Sequence, residues 1–250
     1  MILVIVTAII FLLSFIFSML GLGGAMLYIP VLHWFGFDFK SVAIPTGLLL
    51  NGITVFSATI SYLRSKMVDV KGAIPLAITS FIGAPLGAYF TRLVPTRHLI
   101  FLFALAMLFA AGRMLLTAQR PEKETMAPFH TRIILMAAAG LGIGIISGLL
   151  GIGGGFLFVP LLLTLGYPTK LAAATSAFVV IFPSFSGFAG HVAGGHFNWL
   201  LMAVTTVAVI IGAQIGAKVM QEKMKARWIK QMFTVVLLGV AVRLLWKFFI

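Results

Sequence analysis

Apolar residues run almost unbroken along this chain, in stretches near 2–20, 41–63, 72–92, 98–118, 132–150, 171–190, 198–217 and 229–249. Each is close to the ~20 residues that a helix needs to cross a 30 Å hydrocarbon core. Two shorter apolar runs, 24–36 and 154–166, each follow a cluster of glycines. The runs are continuous rather than alternating with period two, which predicts helices and argues against a membrane β-barrel. The expected fold is therefore all-α: a polytopic membrane protein with about eight long spans and two short half-helices. Composition agrees, since 61% of the residues are hydrophobic, 9% are charged and the mean hydropathy is +1.15. That leaves too little polar surface to cover a water-soluble globule.

The pattern occurs twice. Gly21-Leu22-Gly23-Gly24-Ala25 with Pro30 returns 130 positions later as Gly151-Ile152-Gly153-Gly154-Gly155 with Pro160. At the same spacing Gly36 pairs with Gly166, Lys40 with Lys170, Thr46 with Ser176, Arg97 with Arg227 and Arg113 with Arg243. After a one-residue slip, Gly83 and Gly87 pair with Gly212 and Gly216. An ordered series over most of both halves points to a duplicated unit, with one repeat in 1–118, a polar linker in 119–131 and a second repeat in 132–250.

Charge bears on how the repeats are oriented. Counting the short runs as passages gives five per half and inverts the second half. One side then collects 13 of the 18 basic residues: Arg64, Lys66, Lys71, Arg113, Arg120, Lys123, Arg132, Lys170, Lys218, Lys223, Lys225, Arg227 and Lys230. Four crossings per half would divide the 18 equally. Cytoplasmic loops carry the Lys/Arg excess, so inverted repeats with both termini outside are expected. The net charge of +13 is thereby assigned to loops. Basic residues do not alternate with stacking aromatics, so no nucleic-acid partner is expected. The chain has no Cys, which excludes disulfides and thiolate metal sites.

A Gly-x-Gly-Gly inside a membrane helix leaves amides without helical partners, which hydrocarbon tolerates only where protein or water surrounds the break. The helices that restart near Gly24 and Gly154 present N-terminal amides and a dipole that favour an anion. Two such termini brought together would form a pocket between the halves. The simpler alternative is close helix packing by small residues. The candidate binding residues are Gly21, Gly23, Gly24, Gly151, Gly153, Gly154 and Gly155, with the hydroxyls of Thr46, Thr175 and Ser176 and the amide of Asn51. Ser57, Ser61, Ser184 and Ser186 extend a polar stripe along the same two segments. His33 and His191, near segment ends, are expected at the interfaces, as are Trp34, Trp199, Trp228 and Trp246. Arg113 and Arg243 are expected to snorkel. The five acids, Asp38, Asp69, Glu122, Glu124 and Glu222, fall in or beside loops, which weakens cation transport and a buried-acid proton relay. No catalytic motif or nucleotide loop is present, so neither an enzyme nor a cofactor is expected.

The glycine motif with its trailing proline, the Ala173-Ala174-Thr175-Ser176 run and the Gly83/Gly87 and Gly212/Gly216 pairs together resemble the TauE/SafE family of membrane permeases. The resemblance covers almost the whole chain. It implies a secondary transporter, acting as an exporter, of small sulfur-containing anions such as sulfite, sulfonates or sulfoacetate, in a bacterial cytoplasmic membrane. The expected partners are that anion and the lipid bilayer, with a homodimer as one open assembly. An anion channel lined by the same polar stripe and a non-transporting membrane scaffold are the alternatives. Ala25 stands where the second copy has Gly155, and Pro45 where it has Thr175, so the half-sites should be unequal.

Overall fold

The computed structural model describes residues 2–91, 93–118, 126–192 and 198–249. Helices occupy every apolar stretch named above: α1 (Ile2–Leu20), α2 (Ala25–Trp34), α3 (Ile44–Arg64), α4 (Val70–Thr91), α5 (Thr96–Ala118), α6 (Phe129–Leu150), α7 (Gly155–Thr164), α8 (Thr169–Val192), α9 (Trp199–Glu222) and α10 (Ala226–Phe249). A π-helical turn, Phe39–Ala43, runs directly into α3. Among the described residues, six helices are long and apolar enough to cross a membrane: α1, α3 with its π turn, α4, α6, α8 and α9. At ten residues each, α2 and α7 rise only about 15 Å, half a hydrocarbon core. Linker residues 119–125 and Arg92 lie outside the described residues, as do the side chains of Arg113, Arg243 and Trp246.

The main packing pairs keep their identity when each helix is exchanged for the one five places along. Thus α4 lies on α6 and α1 on α9; α4 lies on α8 and α3 on α9; α2 lies on α3 and α7 on α8. The self-related pairs α3–α8 and α5–α10 also pack together. The two halves therefore interleave rather than sit side by side.

Small residues make the two largest crossings possible. Gly83 and Gly87 on α4 face the backbone of Leu141 and Ile145, while Gly144 and Gly148 on α6 face the backbone of Ser80 and Ala84. A methyl group on Gly148 would stand 2.6 Å from the Ala84 carbonyl carbon. Gly212 and Gly216 on α9 face Phe11 and Phe15 of α1 in the same manner. These four repeat-related glycines, Gly83, Gly87, Gly212 and Gly216, are packing residues that let backbones approach. The outer faces are apolar, with Ile78, Phe81, Ile82 and Leu86 exposed on α4 and Val207, Ile211 and Ile215 exposed on α9. Such surface is stable against lipid tails and a liability in water.

Side-chain contacts sort the connections into two ends. At one, Tyr167 donates to Asp69 Oδ2 at 2.7 Å and Arg132 donates to Tyr167 Oη at 3.0 Å, with Arg132 and Asp69 3.5 Å apart. Burial, and then the bond to the Asp69 carboxylate, pushes the Tyr167 hydroxyl above its ordinary range, so it remains a donor. Lys170 Nζ donates to Gln221 O at 3.0 Å, and Ser65 bonds the Gln221 side chain, so the connections after α3, before α6, after α7 and after α9 meet there. At the other end, Lys40 Nζ donates to Val94 O at 2.8 Å. The paired lysines thus do the same work, each satisfying a carbonyl where α4 or α9 ends.

Candidate binding site between the two glycine breaks

Both breaks are built from backbone that side chains rarely allow. Gly21 and Gly23 have φ of +68° and +70°; Gly151, Gly153 and Gly154 have +75°, +72° and +79°. Gly24 instead has φ −131°, so the two copies already differ in the backbone at the residue that precedes the short helix. Gly21 lies against the Ala173 backbone of α8, and Gly151 against Ile44 of α3. Each break is thereby pinned to the start of the other half's central helix.

The breaks meet at Asn51. Its Oδ1 accepts from Gly24 N at 2.5 Å and Ala25 N at 2.8 Å, and its Nδ2 donates to Ser184 Oγ at 2.7 Å. The amide plane is wedged between Gly23 and Gly153, neither of which leaves space for a side chain. Gly155 rests on the Leu22 backbone, so the second break touches the first directly. Asn51 and Ser184 are completely buried.

At this point the halves part company. The first two amides of the α2 end, Gly24 and Ala25, share the Asn51 oxygen; their counterparts Gly154 and Gly155 have no acceptor among the described residues. The reason lies in one position: Ile181 stands 130 residues after Asn51 and has nothing to offer an amide. The second amide hydrogen of Asn51 and the hydroxyl hydrogen of Ser184 are likewise without acceptors among the described residues, while Ser184 stands 2.7 Å from where a Gly153 side chain would begin. Buried donors in and beside the second break are therefore left without acceptors among the described residues, an arrangement that burial makes costly.

The other candidates are distributed less simply. Ser176 Oγ donates to Gly21 O at 3.0 Å and braces the first break. Its repeat mate Thr46 is fully buried, and its hydroxyl has no partner among the described residues. Thr175 lies away from the centre, accepting from Asp69 N at 3.1 Å in the connection that follows α3. His191, expected at an interface, is buried with Nε2 3.0 Å from Gly148 O, because α8 continues to Val192 and lays this ring on the end of α6. A carbonyl can only accept, so that nitrogen carries the proton. Ser184 belongs to the polar stripe and occupies the repeat position of Thr54, which itself bonds Tyr28 at 3.1 Å; that correspondence is the signal in the sequence that marks it.

The family model described as "Sulfite exporter TauE/SafE" matches residues 6–244. Among curated proteins, the chain is similar to the probable membrane transporter protein YunE of Bacillus subtilis, 30% identical over 92% of each chain. It is similar also to the probable membrane transporter protein y4hK of Sinorhizobium fredii, 26% identical over 94% of this chain and 95% of the relative. An archaeal relative, the probable membrane transporter protein MJ0441 of Methanocaldococcus jannaschii, is 23% identical over 85% of this chain and 84% of its own. No solved structure matches the chain.

Proposed function

We propose that this chain, which belongs to the TauE/SafE sulfite exporter family of membrane transporters, carries a small sulfur oxyanion by alternating access around the junction of its two glycine breaks. The observation that carries this reading is a set of buried donors without acceptors among the described residues: the Gly154 and Gly155 amides at the start of α7, and the second amide hydrogen of Asn51 and the hydroxyl of Ser184, which lie against the adjoining Gly153. A sulfite or sulfonate group offers several oxygens to such donors. None of the donors carries a full charge, so binding can be selective for an anion and still reversible, as transport requires.

Inverted topology completes the proposal. The contacts among Asp69, Arg132 and Tyr167, and those of Gln221 with Ser65 and Lys170, bring together the same loops that the charge count assigns to the cytoplasm. On this reading both termini face outward, and α2 and α7 enter from opposite sides with their N-termini at mid-depth. Export agrees with the energetics, since an inside-negative membrane favours exit of an anion by about 2.3 kcal/mol per charge per 100 mV.

The test is counterflow in proteoliposomes loaded with sulfite, sulfoacetate, taurine, sulfate or a simple carboxylate. Saturable exchange of at least one sulfur anion is expected, with carboxylates carried poorly. Exchange of none of them would refute the cargo, and unsaturated single-channel current would replace the carrier with a pore.

A further inference from the structure

We infer that the turn after α3 and the turn after α9 together form a docking surface for the headgroup of an anionic phospholipid, such as phosphatidylglycerol, in the leaflet at that end of the molecule. Arg64 and Lys66 belong to the first turn, and Lys218, Lys223, Lys225 and Arg227 lie at the second; all six are exposed. Gln221 joins the turns, for its side chain accepts from Ser65 and donates to Ser61 Oγ at 2.9 Å. Arg64 and Lys66 flank that serine and Lys223 follows the glutamine by two residues, so basic residues from both halves gather in one place. Among the described residues the ion pair is that of Asp69 with Arg132, and none of the six is paired with a carboxylate.

The backbone adds an observation that an excess of basic loop residues does not explain. Helices α2, α3 and α7 end alike, with two successive amides past the cap returning to the last turn: Gly36 N to His33 O and Phe37 N to Leu32 O, Gly166 N to Leu163 O and Tyr167 N to Leu162 O, Lys66 N to Leu63 O and Met67 N to Tyr62 O. The first residue of each pair is left-handed, with φ of +90° at Gly36 and Gly166 and +54° at Lys66. Lys66 is the one non-glycine residue with positive φ among the described residues. A β-carbon there costs free energy that glycine avoids, and an anion for the ammonium group to meet accounts for keeping a lysine. The surroundings select a lipid over a soluble anion. Exposed Leu63 precedes Arg64, and exposed Ile215 stands one turn before Lys218, each closer to the middle of its helix than the charge. Trp228 is half exposed with Lys225 Nζ 5.7 Å from its ring centroid, and tryptophan settles at headgroup depth. A phosphate over an acyl chain matches that order of charge and apolar surface.

The test measures thermal melting of the purified full chain in nanodiscs of phosphatidylcholine, with and without phosphatidylglycerol. Wild type should melt about 4 °C higher with the anionic lipid, and raised salt should shrink that shift. A triple variant, Arg64→Gln with Lys223→Gln and Arg227→Gln, should lose most of it, while Arg97→Gln, at the repeat position of Arg227 but beside Val94 at the other end, should keep it. Lys66→Gly should melt at or above wild type in phosphatidylcholine, because glycine relieves the backbone, and gain less from phosphatidylglycerol. Equal melting of wild type in the two lipids, or a full shift in the triple variant, would overturn the inference. A full shift in the triple variant together with a higher half-saturating sulfite concentration in counterflow would also overturn it and give the patch to the cargo. Should the triple variant fail to fold, Lys66→Gly decides alone, and a full shift there overturns the inference.

Discussion

Replacing Gly155 with alanine adds one methyl group at the place where the two breaks touch. The new carbon would stand 2.8 Å from both Cα and the carbonyl carbon of Leu22, and closer still to its oxygen. All three are backbone atoms, so no rotamer change relieves the contact. The breaks must separate by about 1 Å before the methyl reaches ordinary carbon–carbon distance. Overpacking of this kind costs about 1–3 kcal/mol. The same displacement disturbs the contact of the second break with Asn51 and Ser184 at Gly153, so transport should fall more than stability does. The first copy supplies the control, because Ala25 already carries this methyl in a fully buried position. Ala25→Gly should cost no more than about 1 kcal/mol of helix preference and leave exchange near wild type. The assay is sulfite counterflow in proteoliposomes, normalised to inserted protein, alongside melting in detergent. Wild-type melting and exchange in Gly155→Ala would refute the account of why the copies differ here.

Three further outcomes are expected. Gly148→Ala, whose methyl would press on the Ala84 backbone, should lower stability by about 1–3 kcal/mol, whereas Gly142→Ala on the same helix, with nothing within 4 Å, should be neutral or stabilising by up to about 1 kcal/mol; melting curves distinguish them. Ser176→Ala removes the bond to Gly21 O and should cost about 1 kcal/mol, while Thr46→Val removes a buried hydroxyl with no partner among the described residues and should cost nothing or stabilise; equal losses would contradict the assignment. Asp38 accepts from Ser41 Oγ at 2.6 Å, Ser41 N at 2.7 Å and Lys40 N at 3.1 Å, and the bonds to Ser41 hold its carboxyl below the ordinary value. Its contribution is therefore complete above the ordinary carboxylate range near 4 and is lost as pH falls through the lowered value, so the stability difference between wild type and Asp38→Ala, about 1 kcal/mol at neutral pH, should vanish in acid.

Helix positions were legible in the sequence because hydrocarbon imposes a length and a composition that no packing detail can override. The helices fall on the predicted runs, and the repeat of Gly21–Ala25 in Gly151–Gly155 marked both breaks. What the sequence could not separate was two uses of glycine. Gly83, Gly87, Gly212 and Gly216 serve helix crossings, whereas Gly153 and Gly155 make room for Asn51 and Leu22; both uses look the same until neighbours are known. The hydroxyls divided for a similar reason. Thr46, Thr175 and Ser176 are adjacent in the pattern, yet one has no partner among the described residues, one bonds the Asp69 amide and one braces Gly21.

The sequence by itself determined that this is a helical membrane protein whose glycine motif, and with it a break between helices, occurs twice, since composition, period and motif are local properties of the chain. Only the tertiary structure decided that the breaks are unequal in use. An Asn at 51 and an Ile at 181 were always readable as a difference, but whether the Asn faced a ligand or its own backbone depended on α3 and α8 crossing beside both breaks. That crossing brings residues 133 positions apart to 2.7 Å and sets Asn51 on the α2 terminus, where it accepts from Gly24 and Ala25, and not on that of α7.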